Sequence, residues 1–303
     1  MNPFAIMVLR PGFEPGSALW LKGQAVPYGS CELVNIPLEA LDKFERFCKV
    51  DLSLAKKTVQ RCRYEMGRLV KWLDGKLVSI DVLRDYLEPF HAEGRNNCLR
   101  SFRHYFRDYI KRPDLIMSFK FIKTPPKLVL NLPSKEDLQI AYETFETIRD
   151  KAMFLLYASS GVRRQELLDV TFDGVNFEDR MLVPGHQSRT KMSYITFYNE
   201  EAERAFTEYL ETLPSRKEKP FPYTWNAYFK AERKVKKKTG VNVSPQILRQ
   251  WFCNEMGSLR VPDRFIDAFC GRVPRSILAR HYTDYSPKRL KQTYDKANLK
   301  VLA

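Results

Sequence analysis

Cysteine, acid and long apolar runs are what this 303-residue chain has little of. Its six cysteines, Cys31, Cys48, Cys62, Cys98, Cys253 and Cys270, are scattered, with no CxxC and no Cys/His ligand spacing. They read as small buried hydrophobes in a reducing compartment, and the pattern speaks against a metal site. No apolar run approaches the roughly 18 residues that cross a bilayer; AMFLLYASSGV comes nearest. The first residues lack the basic-then-apolar layout of a signal peptide, so the sequence predicts a cytoplasmic protein with no membrane partner. Neither an internal repeat nor a low-complexity tract is present.

What is there is base. Fifty-one Lys and Arg against 36 Asp and Glu leave a net charge of +15, which favours a polyanionic partner such as nucleic acid. A composition 44% hydrophobic and 29% charged is that of a globular protein, and the length allows two domains.

Residues 1–36 show no sustained period, and they include the hexapeptide Pro-Gly-Phe-Glu-Pro-Gly at 11–16. From 37 to 123 the pattern is helical. Val59, Met66, Leu69, Val70 and Leu73 recur at core spacing in one segment, ended by Gly75-Lys76. In a second predicted helix, about 97–111, Leu99, Phe102, Phe106 and Ile110 form an apolar stripe. Arg100, Arg103, Arg107 and Lys111 form a neighbouring, wholly basic one. That combination suits a helix docked on its domain with its flank against DNA phosphates.

The proline-marked stretch 124–133 reads as a linker. Ser134 followed by Asp137 then predicts a capped helix start, and the second domain runs over 134–303. Strand-like stretches near 167–171, 180–184 and 193–198 predict a small three-stranded sheet in an otherwise helical domain.

Four pieces of that domain carry chemistry. ASSGVRRQELLDV holds Arg163 and Glu166, and the hairpin-like HQSRTKMSYITFYN holds Lys191 near its bend. SPQILRQWF holds Gln246 and Arg249, and CGRVPRSILARHYTDYS holds Arg272, His281 and Tyr282. Together they resemble the boxes of the tyrosine recombinase (phage integrase) family. Its Gly-x-Arg-x-x-Glu-Leu is matched by Gly161, Arg163, Glu166 and Leu167. Its Pro-His-x-Leu-Arg-His-x-Phe aligns with Pro245, Gln246, Leu248, Arg249, Gln250 and Phe252. Gly271-Arg272 precedes Tyr282 by the distance that separates the family's Gly-His from its nucleophile. The tail, ARHYTDYSPKRLKQTYDKANL, most resembles integrases of archaeal viruses and plasmids, the fusellovirus type.

The resemblance covers 134 to about 300. It implies a mainly α protein with a helical, SAM-like core-binding domain. An α-rich catalytic domain with a small three-stranded antiparallel sheet follows. It implies a partner, double-stranded DNA at attachment sites in a tRNA gene, a homo-oligomer (a tetramer on DNA), and no cofactor.

It also implies roles. Strand exchange without an external energy source needs a covalent intermediate. Tyr282 is the expected nucleophile, with Tyr285 and Tyr294 as rivals. Arg163 and Arg249 would hold the nonbridging phosphate oxygens as permanent, forked cations. Lys191, with Arg189 as rival, would protonate the leaving 5′-oxygen. Glu166 would hold Arg163. Gln246 stands where the family usually has a proton-cycling His, and Arg272 where it has a His or Trp, so phosphate would be met by an additional cation. His281 is either a proton acceptor or a packing residue. The C-terminal helix, 286–301, would dock on a neighbouring protomer or pack on its own domain.

Residues 11–16 read first as a pair of Pro/Gly turns; because some fusellovirus-type integrase genes contain their own attachment site, they gain a second reading. Codons exist for this peptide whose reverse complement is a tRNA T-arm hairpin. The peptide would then be spelled by an attachment site. Alternatives to the recombinase are a type IB topoisomerase-like strand transferase, using the same Tyr and Arg chemistry, and an inactive DNA-binding regulator.

Overall fold

The computed structural model describes residues 34–125, 131–184, 187–188, 191–192, 195–215, 218–272 and 276–303. The hexapeptide at 11–16 lies outside them. The chain divides into two compact units, Met1–Lys127 and Leu128–Ala303.

In the first unit, helices α1 (Ala40–Val50), α2 (Lys56–Leu73), α3 (Ile80–Leu87) and α4 (Ala92–Phe102) enclose a core that includes Phe44, Met66, Leu69, Leu99, Phe102 and Phe106. Asp74 and Gly75, both at positive φ, close α2, and the Ser79 hydroxyl caps α3 by accepting from Val82 N at 3.2 Å. Helix α4 passes into a π-helical segment, Arg103–Tyr109, in which Ile110 N donates to Tyr105 O at 3.0 Å. The uniform α-helix expected over 97–111 is therefore corrected. The wider turns still bury Tyr105 and Phe106, but they rotate the arginines away from a single α-helical stripe. Buried Asn96 then ties down the following extended stretch, with Nδ2 donating to Ile122 O at 2.8 Å and Oδ1 accepting from Ile122 N at 2.9 Å.

The second unit opens at the expected capping box, Ser134 with Asp137, on α5 (Lys135–Thr144). Helix α6 (Ile148–Ser160) is buried on every side from Ala152 to Ser160, so it forms the domain's central rod. Helices α8 (Glu200–Glu211), α9 (Trp225–Thr239) and α10 (Pro245–Ser258) pack on it, and α7 (Arg164–Asp169), α11 (Asp263–Phe269), α12 (Ile277–His281) and α13 (Pro287–Ala297) complete the helical set. Strands β1 (Val175–Asn176), β2 (Met181–Leu182) and β5 (Thr196–Phe197) form an antiparallel sheet in the order β1-β2-β5. Strands β3 (Gln187–Ser188) and β4 (Lys191–Met192) form a separate hairpin in which Ser188 pairs with Lys191.

The strand expected near 167–171 is instead mostly α7, and β1 takes the third place in the sheet. The reason is local: the Glu166 carboxylate accepts from Arg163 N at 2.8 Å and starts a helix there. Phe197, Tyr198 and Phe252 are at most 1% exposed and belong to the core of this unit.

The carbonyls at the end of α6 have no partners within the helix, and neighbouring side chains take them up. Tyr294 OH donates to Ser159 O at 2.7 Å, and Thr196 Oγ1 donates to Ser160 O at 2.7 Å. The first of these comes from α13, so the C-terminal helix packs on its own domain. Beyond Asn298, at positive φ, the last residues turn back, and Glu201 accepts from Val301 N at 2.7 Å. No helix among the described residues is long and apolar enough to cross a membrane.

Candidate active site

Arg163 stands at the N-cap of α7, just after the left-handed turn of Gly161 at φ +63°. Its Nη1 donates to Glu166 Oε1 at 2.6 Å, and Glu166 is buried. Its Nη2 donates to Gly271 O at 3.1 Å, a partner from the turn after α11.

Arg249 projects from the first turns of α10 and is only 6% exposed. Its Nη1 donates to Gly161 O and its Nη2 to Cys270 O, each at 2.5 Å. Two carbonyls thus occupy two of its five N–H donors. Among the described residues its guanidinium has no carboxylate in hydrogen-bond contact. Burial, and then the nearby charge of Arg163, lower its pKa from the usual arginine value, yet a guanidinium stays charged in water's pH range. A buried cation held by carbonyl dipoles is a strong site for an incoming anion.

Arg272 extends the same turn. Its Nη1 meets Asp267 Oδ1 at 3.1 Å, and its Nη2 donates to Cys253 Sγ at 3.5 Å. Residues 270–272 therefore join three arginines from three separate stretches of sequence. Gly161 cannot be replaced easily at this junction: a Cβ would lie 2.4 Å from Phe252 Cδ1.

The contacts gather Arg163, Glu166, Arg249 and Arg272. Gln246, His281 and Tyr282 are exposed and stand outside that web. Tyr282 follows α12 and is 77% exposed, and its backbone N donates to Leu278 O at 3.0 Å. Both rival tyrosines are withdrawn from solvent. The Tyr294 hydroxyl is buried against Ser159 O, and the Tyr285 hydroxyl is buried without a hydrogen-bond partner among the described residues. Burial pushes the Tyr294 phenol far above the usual tyrosine range, which disfavours the phenolate a nucleophile needs. The backbone of Lys191 lies in β4, beside the bend of its hairpin. Its side chain and residue 189 are outside what the structure describes.

In the first unit, Arg100 and Lys111 are exposed. Arg103 is partly withdrawn: Nη2 donates to Phe119 O at 2.9 Å, and the guanidinium lies 4.2 Å over the Phe121 ring. Arg107 is exposed but engages Asp108 at 2.7 and 3.0 Å.

Sequence reasoning missed a second basic surface, on α9, where Lys230, Arg233, Lys236 and Lys237 are exposed. Its neighbours Lys234 and Lys238 instead bond Glu146. The density of Lys and Arg over 230–238 was the available signal. Sequence reasoning also missed the acceptors at Cys270 and Gly271, which are backbone atoms and leave no trace in residue identity.

The model of the family described as archaeal phage integrase matches residues 130–297, more than half of the chain. Tyrosine recombinase XerA of Pyrococcus horikoshii is 27% identical over 282 residues, covering 88% of this chain and 96% of that protein. Among solved structures, a lambda integrase tetramer bound to a Holliday junction aligns with a TM-score of 0.64 at 14% identity, covering 84% of this chain and 79% of that one. The Tn1549 transposon integrase in complex with circular intermediate DNA aligns with a TM-score of 0.58 at 13% identity, covering 83% and 98%. These alignments carry the mainly α fold with its small sheet. The chain belongs to the archaeal phage integrase family, and it is a tyrosine recombinase, an enzyme that breaks and rejoins DNA strands through a tyrosine nucleophile.

Proposed function

We propose that this recombinase integrates, and excises, a viral or plasmid genome at a host tRNA gene, through a 3′-phosphotyrosine intermediate. The observation that carries the chemistry is Arg249, buried and held among the described residues by two carbonyls, one of them on the turn that also receives Arg163 and leads to Arg272. The three guanidiniums bind the nonbridging oxygens of the scissile phosphate and stabilise the charge that builds there in the transition state. Glu166 fixes Arg163.

Tyr282 attacks phosphorus. The P–O5′ bond breaks as the bond to the phenolic oxygen forms, and Lys191 gives a proton to the departing 5′-oxygen. Gln246 cannot cycle a proton at neutral pH. The phenol's own proton therefore leaves to water, which the 77% exposure of Tyr282 permits. Attack by the free 5′-hydroxyl of another strand reverses these steps and rejoins the DNA.

Duplex DNA is the substrate. Arg100, Arg103, Arg107 and Lys111 in the first unit, and the basic face of α9 in the second, supply phosphate contacts. Work proceeds in a tetramer on paired sites, and residues 11–16 are spelled by the attachment site itself.

The test is a two-plasmid assay. One plasmid carries the DNA of codons 1–25 and the other the 3′ end of the tRNA gene whose T-arm it matches. Recombinant joints that require both sequences support the reading. Relaxation of any supercoiled plasmid without joints would make the chain a topoisomerase-like strand transferase. A T-arm invariant missing from codons 11–16 would remove the attachment-site reading alone.

A further inference from the structure

The turn that gives carbonyls to Arg163 and Arg249 also carries a thiol. Cys270 Sγ lies 3.4 Å from Cys253 Sγ, which projects from α10 one helical turn after Arg249. Arg272 Nη2 points at the same Cys253 sulfur, at 3.5 Å. Arg272 is thus gripped from two sides, by the Asp267 carboxylate of α11 and by a sulfur from the helix that presents Arg249.

A neutral thiol is a weak acceptor, whereas a thiolate opposite a guanidinium makes a charge-assisted contact. The groups facing the Cys253 sulfur all favour the thiolate. The hydrogen bond shared with Cys270, and then the positive charge of Arg272 and Arg249, lower the Cys253 thiol to about 6 against the cost of burial. Asp267 faces Arg272 rather than the sulfur. The same hydrogen bond with Cys253, and then burial at 1% exposure, push the Cys270 thiol well above the usual thiol value.

We infer that Cys253 is a positioning residue for strand cleavage, its sulfur fixing the direction in which Arg272 presents its guanidinium. The inference rests on the proposed role of Arg272 at the scissile phosphate. Serine in its place would offer Arg272 a neutral acceptor, and alanine none.

The experiment measures single-turnover cleavage of a nicked duplex on which the wild type forms a covalent complex, from about pH 5 to about pH 9, bracketing the usual and lowered thiol ranges. The proteins are wild type, Cys253→Ser, Arg272→Ala and the double variant, each checked for DNA binding and thermal stability. The wild-type rate should rise through about pH 6, where the Cys253 thiolate forms. Cys253→Ser should lose that rise and be slower on the order of tenfold at neutral pH, and it should add nothing in the Arg272→Ala background.

A Cys253→Ser profile that matches wild type sinks the inference. So does an equal slowing with and without Arg272, which is a structural effect. If Arg272→Ala itself cleaves at the wild-type rate, the assignment of Arg272 fails first. Should Cys253→Ser not fold, alkylation of the wild type by iodoacetamide decides: Cys253 should react well below the pH at which an ordinary thiol does, and slow cleavage as it reacts. Inertness of Cys253 until that higher pH overturns the inference.

Discussion

Arg249 reaches back 88 residues to donate to the carbonyl of Gly161 at 2.5 Å. That bond locks the helix carrying one arginine to the turn presenting another, and Gly161 makes it possible. A side chain there would meet the Phe252 ring 2.4 Å away, in a backbone conformation that L residues seldom adopt. Gly161→Ala should therefore destabilise the second unit by about 2 to 4 kcal/mol. It should also cost DNA cleavage in whatever fraction remains folded. Urea unfolding checks the first point, and a stability within about 0.5 kcal/mol of wild type, the range of neutral surface changes, would contradict it.

Glu232, on α9, is 8% exposed and its Oε2 has no hydrogen-bond partner among the described residues. Burial raises its pKa from 4.5 to about 7, against the pull of Arg164 and Lys236. The folded state thus holds a proton that the unfolded chain has released. Its contribution to stability is full below about pH 4.5 and is lost as pH rises through about 7. Glu232→Gln should flatten this slope and make the protein more stable at pH 8 by on the order of 2 kcal/mol. Melting temperatures across that window test it; an unchanged slope would place the charge elsewhere.

The basic residues of the first unit should separate by experiment. Arg100 and Lys111 are exposed, so Arg100→Ala and Lys111→Ala should each lower the salt dependence of DNA binding by about one unit of slope. Thermal stability should stay unchanged. Arg103 holds Phe119 O and stacks on Phe121. Arg103→Ala should weaken binding and also destabilise the unit by about 1 to 2 kcal/mol. Equal effects of all three on binding, with no loss of stability, would contradict that division.

How far the sequence carries depends on where each partner lies. The pair Arg163–Glu166 is three residues apart, and the sequence box that contains it is also the local structure that forms it. Arg249 was legible as a residue, but its grip on Gly161 and Cys270 was not, because carbonyls distant in sequence are the same in every residue. The π-helical segment hid for a related reason: apolar Phe102 and Phe106 keep their spacing whether the turn is α or π. The stretch near 167–171 read as a strand because a short apolar run carries no period of its own; the Glu166 cap decided for helix. The grouping of Cys253 with Cys270 also escaped, since scattered cysteines show their pairing only in the fold.

The central claim is that Tyr282 attacks DNA. A nicked suicide duplex, incubated with wild type, Tyr282→Phe and Tyr294→Phe and resolved on a denaturing gel, tests it most directly. The account predicts a covalent protein–DNA band with wild type and none with Tyr282→Phe. The band should persist with Tyr294→Phe, which loses only the bond to Ser159 O. Tyr282→Phe should fold and bind DNA as wild type does, because its side chain is 77% exposed. A band that survives Tyr282→Phe, or the absence of any band from wild type with DNA binding intact, would contradict the account.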